Sequence, residues 1–204
     1  MLTVSSDYTY YDEGDSVFAM VFNPDKGALE ANQKTAGENI NKTILSIKDF
    51  RIAMSLGLDR AAFCLATSPT NMPAFALYGS QIVAGTDNGI FYRTTDVAKN
   101  VVVEFWGLAD EIGEGKMYAT VDDAIDSISG YNLEMAKTYL DSAYDQAIEQ
   151  KLMDEDDVVQ IIIGTPNNTS QFYNNGYDFL VNNYTEAVKG TKLEGKLTFT
   201  RDAT

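Results

Sequence analysis

A mixed α/β domain is what this sequence of 204 residues predicts, and three observations carry the prediction. Val158 to Gly164 reads as a continuous apolar strand of the kind buried on both faces. A helical pattern from about Ser170 to Val188 and an alternating run from Leu193 to Thr200 follow it, so this stretch forms a βαβ-like unit. Such a unit implies a right-handed crossover and a parallel strand pair. Upstream, Phe50, Met54 and Leu58 recur at a spacing of four, the period of an amphipathic helix. With 45% hydrophobic residues the chain can fill one core over residues 1–204 without metal or disulfide.

The elements follow in order. Leu2 to Tyr11 and Ser16 to Asn23, rich in Val, Thr, Tyr and Phe, predict two strands around the polar cluster Asp12-Glu13-Gly14-Asp15. Pro24 to Asn41 is polar, carries Gly27 and Gly37, and predicts a surface loop with a helical turn near Leu29. The helix begun at Lys48 should end near Gly57, and Asp59 stands where an N-cap would start a second helix through Ala66. Ser68 to Thr95 holds Pro69, Pro73, Gly79, Gly85 and Gly89, which suits a long excursion with short strands at Ile82 to Ala84 and Ile90 to Arg93. Val97 to Leu108 matches both strand and helix, and its helical spacing favours the helix. Thr120 and Asp123 mark a short helix to Ile128, stopped by Gly130. Asn132 can cap the longest helix, with Ala136, Tyr139, Leu140, Ala143, Ala147 and Ile148 on one face through about Leu152.

Composition narrows the function. Thirty acidic against 15 basic side chains give a net charge of −15, which repels nucleic-acid phosphates and anionic headgroups. The single Cys64 permits no internal disulfide or thiolate cluster, and the absence of histidine removes the commonest general base and zinc ligand. No cofactor or metal is expected. No apolar run reaches bilayer-spanning length, and the opening residues lack the basic and apolar regions of a signal peptide, so the chain itself inserts in no membrane.

Lys48-Asp-Phe-Arg-Ile-Ala-Met-Ser-Leu-Gly-Leu-Asp-Arg60 resembles a segment of the family 5 extracellular solute-binding proteins, the oligopeptide, dipeptide and nickel binders of ABC transporters. There a helix of the form Val-Arg-x-Ala-Leu-x-x-Ala-Ile-Asp-Arg follows an extended segment ending in Asn, to which Phe18 to Asn23 is similar. Tyr131-Asn-Leu-Glu-Met-Ala-Lys-Thr-Tyr-Leu140 resembles the family's Tyr-Asp-x-x-Lys-Ala-Lys-x-Leu-Leu helix, and Val158 to Gly164 the strand after it. Asn168-Thr169-Ser170 resembles the Asn-Thr-Ser that oligopeptide binders carry near the ligand cleft, and Asn71-Met72-Pro73-Ala74 a loop of some of them.

The resemblance implies part of the distal lobe of a type II periplasmic-binding-protein-like fold, a mixed sheet with packed helices, which captures peptides or similar small solutes without catalysis. The stretch between Arg60 and Ala136 is longer than the family's, which predicts an insertion at about 68–130. The family's lobe continues beyond the point matching Thr204, so major ligand contacts are expected outside this chain. The implied setting is extracellular or periplasmic, lipid-anchored in the full-length parent, with an ABC transporter permease as partner.

Asn167, Asn168, Ser170 and Tyr173 are the leading ligand candidates, because a loop leaving the carboxyl end of a strand for a helix presents donors at a cleft. The same loop also suits a plain cap by Asn168 or Thr169. Asn71 and Met72 are further candidates on a Pro-containing loop, which is otherwise a turn. Arg51, Asp59 and Arg60 suit ion pairs and caps better than ligand binding, Asp154-Glu-Asp-Asp157 suits a solvated charge run better than calcium, and Phe105 with Trp106 suits the core. The sequons at Asn41, Asn168 and Asn183 carry no argument. Two alternative functions remain: a surface adhesin-type interaction domain, and a hydrolase using carboxylates near Asp110, Glu111 and Asp122.

Overall fold

The computed structural model describes residues 18–68, 70–74, 81–85 and 89–203. The expected strand Leu2 to Tyr11 and the turn after it lie outside these residues. The chain is mixed α/β, with helices and a three-stranded sheet that is parallel throughout among the described residues, where a mixed sheet was expected. The described residues divide into two units, one of residues 18–20, 81–85 and 89–128, the other of residues 21–68, 70–74 and 129–203.

The larger unit holds the sheet. Residues 18–23 pair in no ladder, contrary to the strand expected from Ser16 to Asn23; instead Phe22 packs against the core. The helical turn expected near Leu29 is a longer helix, α1 (Lys26–Gln33), and the rest of the expected loop from Pro24 to Asn41 ends in strand β1 (Ile40–Asn41). Asp25 caps α1 by accepting from the Ala28 amide at 3.0 Å, and only Leu29 of the helix is buried. One buried residue makes no periodic stripe, which is why the pattern indicated only a turn there.

Helix α2 (Lys48–Leu56) ends at Gly57, and α3 (Arg60–Thr67) starts from the Asp59 cap, whose carboxylate accepts from the Ala62 amide at 2.9 Å. Helix α6 (Leu133–Glu149) is capped by Asn132, strand β2 spans Val158–Thr165, α7 spans Gln171–Ala187, and β3 spans Leu197–Ala203. β3 thus begins later than the expected Leu193, which lies fully buried in the turn before it. β2 runs parallel to both neighbours, with Ile40 opposite Val158 and Val159 opposite Leu197.

Phe50 and Met54 of α2, Leu140 and Ala143 of α6, and Leu180 and Tyr184 of α7 form one cluster with Val159 and Ile161 of β2. Phe199 of β3 joins it by stacking on Tyr184 at 6.3 Å between centroids. β2 is not buried on both faces as expected: Ile162 is 49% exposed and Gly164 is exposed, while Val159 and Ile161 are buried. Helices supply the core on one side only, so alternation returns even in this apolar run.

In the smaller unit, the two expected short strands shrink to a single antiparallel bridge, Val83 with Phe91, and residues Tyr92–Thr94 wind into a 3-10 turn. Helix α4 (Asp96–Phe105) packs on α5 (Val121–Asp126), which the Thr120–Asp123 capping box starts. Phe105 departs from its expected core position and is 51% exposed, while Trp106 is half-buried against it. α4 buries Ala98 and Val103, and Val97, Val101 and Phe105, four apart, fall on the other face. No helix among the described residues is long and apolar enough to cross a membrane.

Candidate functional site

The leading candidates sit on the connection between β2 and α7. Thr165 ends the strand, and the loop closes on the side chain of Asn167, whose Oδ1 accepts from the Thr169 amide at 3.1 Å and the Ser170 amide at 2.8 Å. Its carbonyl accepts from the Thr165 hydroxyl at 3.2 Å. The cap expected of Asn168 or Thr169 therefore falls elsewhere: Ser170 is the N-cap, with no side-chain cap bond, and Asn167 satisfies the amides ahead of it. Asn168 stands exposed at the tip, and Tyr173 lies half-buried in the first turn of α7, edge-on to Phe172 at 5.3 Å.

Asn71 and Met72 reach the same end of the unit. α3 and α7 run antiparallel, because Asp59 meets Asn183, Phe63 packs edge-on to Phe179 at 5.6 Å, and the Asn175 amide donates to the Ala66 carbonyl at 2.9 Å. The carboxyl end of α3 consequently lies beside the amino end of α7, and Ser68 follows it there. The Asn71 amide closes a turn on the Ser68 carbonyl at 2.9 Å, and Met72 is 79% exposed.

One important residue was missed. Arg201, near the end of β3, donates from Nε to Thr165 Oγ1 at 2.9 Å, from Nη1 to Asn174 Oδ1 at 2.6 Å and from Nη2 to the Asn167 carbonyl at 2.8 Å. Its guanidinium lies 5.6 Å from the Tyr177 ring centre. Ending the strand at Thr200 hid it by one residue. The alternation Leu197, Phe199, Arg201 was the available signal, since it puts Arg201 on the face the strand turns toward α7.

The other singled-out residues divide clearly. Asp59 caps α3. Arg60 donates to the carbonyls of Ser55, Leu58 and Gly130 at 2.9, 3.3 and 2.7 Å, and burial pulls its pKa down. Arg51 donates to the Leu45 carbonyl at 2.7 Å. No ion pair of Arg51 or Arg60 forms among the described residues, so the expected ion pairs are replaced by bonds to backbone oxygens. Asn41 is fully buried and bonded to Leu152 and Ile44, and Asn183 ties Gly57 to α7.

Asp154, Glu155 and Asp156 are exposed, and Asp157 closes a turn on the Asp154 amide at 3.0 Å. Among the described residues no cluster of three His, Cys, Asp or Glu could hold a metal ion. Asp110 and Glu111 are exposed in a 3-10 turn, and Asp122 pairs with Lys99 at 2.6 Å. A shallow groove lined by Gln33, Glu38, Asn39, Lys151, Asp154 and Asp157 lies at the amino end of β2. The candidate loop is at the other end, roughly 23 Å away along the strand.

No family model, no curated protein and no solved structure matches this chain.

Proposed function

We propose that the chain is a ligand-capturing lobe of an extracytoplasmic solute-binding protein that delivers peptides or similar small solutes to an ABC transporter permease. One observation supports this most: Asn167, Asn168, Ser170 and Tyr173 share one end of the larger unit with Asn71 and Met72, through the antiparallel pairing of α3 and α7. Polar groups gathered at the carboxyl end of a parallel pair are where α/β sheets present ligand sites. In this reading the lobe closes by a hinge on a second lobe, and the two share the contacts to the solute's main chain. The proposed setting is extracellular or periplasmic, with lipid anchoring of the full-length parent, and the proposed role is capture without catalysis.

A single lobe offers half of the contacts, so binding by this chain alone should be weak. Titration of the labelled chain with a mixture of di- to pentapeptides, followed by two-dimensional NMR, should give saturable shifts centred on residues 68–72 and 165–174, with dissociation constants in the millimolar range, about 4 kcal/mol of binding energy. Shifts absent from those residues at saturating peptide would remove the reading, and micromolar affinity would contradict the half-site argument. A second reading, a surface interaction domain, has its own observation in the exposed Val97, Val101 and Phe105 of α4. Self-association or lectin-like retention that is abolished by Val101→Lys, with peptide titrations silent, would favour it.

A further inference from the structure

Arg201 meets no carboxylate among the described residues. All three of its hydrogen bonds go to neutral oxygens, of Thr165, Asn174 and Asn167. The chain carries 30 acidic side chains, and lysines 26, 99, 189 and 192 each hold one. A half-buried cation normally finds such a partner or a negative dipole end. Arg60 also lacks a carboxylate, but its bonds to Ser55 and Leu58 place it at the carboxyl end of α2, where the helix dipole is negative. Arg201 has the opposite placement. Asn167 precedes α7 and Asn174 lies in its first turn, so this guanidinium stands at the positive end of a 17-residue helix.

The three bonds hold the guanidinium in one orientation, and stacking on Tyr177 supports its face. A guanidinium has five N–H donors, and three are in use here, which leaves two. Two N–H groups are what an oxyanion takes in a fork. We propose that Arg201, beside the loop of residues 166–170, binds an oxyanion through its two remaining N–H groups, so that the solute is recognised through a carboxylate or comparable anionic group. The identity of that solute as a peptide rests on the function proposed above; the anion site does not.

The wild-type chain can be titrated with inorganic phosphate and with acetate, against sodium chloride at matched ionic strength, while the Arg201 Nε–H and the amides of residues 167–174 are followed by NMR. Saturable shifts at these groups are expected for the oxyanions and not for chloride. Arg201→Gln should weaken the response about tenfold or more. Shifts that do not saturate, or that chloride reproduces, overturn the proposal without recourse to any variant. A tripeptide and its C-terminal amide distinguish the sources of the anion. If the acid shifts these residues and the amide does not, the carboxylate is the recognised group. If both bind equally, and equally to Arg201→Gln, peptide capture stands and the role given to Arg201 falls. If phosphate saturates while peptides do nothing, the anion site stands and the peptide reading falls.

Discussion

Tyr184 shows how a single side chain can tie the larger unit together. It is buried, its hydroxyl donates to the Met54 carbonyl at 2.9 Å, and its ring stacks on Phe199. Burial penalises the phenolate and pushes the pKa above the ordinary 10.0, with Arg60 pulling weakly the other way. A raised folded pKa stabilises the fold in full below about pH 10 and loses that contribution as pH rises further. Absorbance titration of the 12 tyrosines should therefore show Tyr184 ionising only as the chain unfolds in alkali. Tyr184→Phe should abolish that late step, at about 1 kcal/mol of neutral-pH stability. Complete ionisation before any loss of ellipticity would contradict it. Asn167 was legible as a candidate from its place after a strand, but its bonding to Thr169 and Ser170 was not. Which amide a short side chain reaches depends on the path of the loop, and composition does not encode that path.

Among the elements, α3 and α7 meet through Gly176. A Cβ there would stand 3.5 Å from the Phe63 ring and 3.6 Å from Thr67, ordinary contact distances. Gly176→Ala should therefore be accommodated and should raise stability by roughly 0.5–1 kcal/mol, through helix propensity and a less free unfolded chain. Gly176→Leu has no such room and should push α3 away, lowering the urea midpoint. If Ala lowers the midpoint as Leu does, the contact is closer than described. This pairing matters for the candidate site because it brings the end of α3, and Ser68 after it, beside the start of α7. Most helices were legible from caps and periodicity: Asp59, Thr120 and Asn132 all cap as their spacing suggests. α1 was legible only as a turn near Leu29, because one buried residue leaves no stripe, although Asp25 after Pro24 was a usable start signal. β3 was displaced because Leu193, fully buried in a turn, mimics the first residue of a strand.

For the whole molecule the dominant fact is charge. At a net −15 the folded chain repels itself, and most ion pairs among the described residues are exposed, as between Lys192 and Asp145 at 2.6 Å, so they contribute little. Raising sodium chloride from ~10 to ~150 mM should shorten the Debye length from about 30 to about 8 Å and raise the melting temperature. A fall would mean that the surface pairs outweigh the repulsion. The sequence by itself determined the mixed α/β class, the parallel pairing of β2 with β3, the α2–α3 corner and the acidity, because these follow from local periodicity, capping chemistry and composition. Tertiary structure decided that β2 has one bare face, that Asn71 and Met72 share an end with Asn167 and Asn168, and that Arg201 stands beside them without an acid. Those are relations between residues far apart in sequence, set by the antiparallel packing of α3 on α7 and the register of β3 on β2, and no local pattern records them.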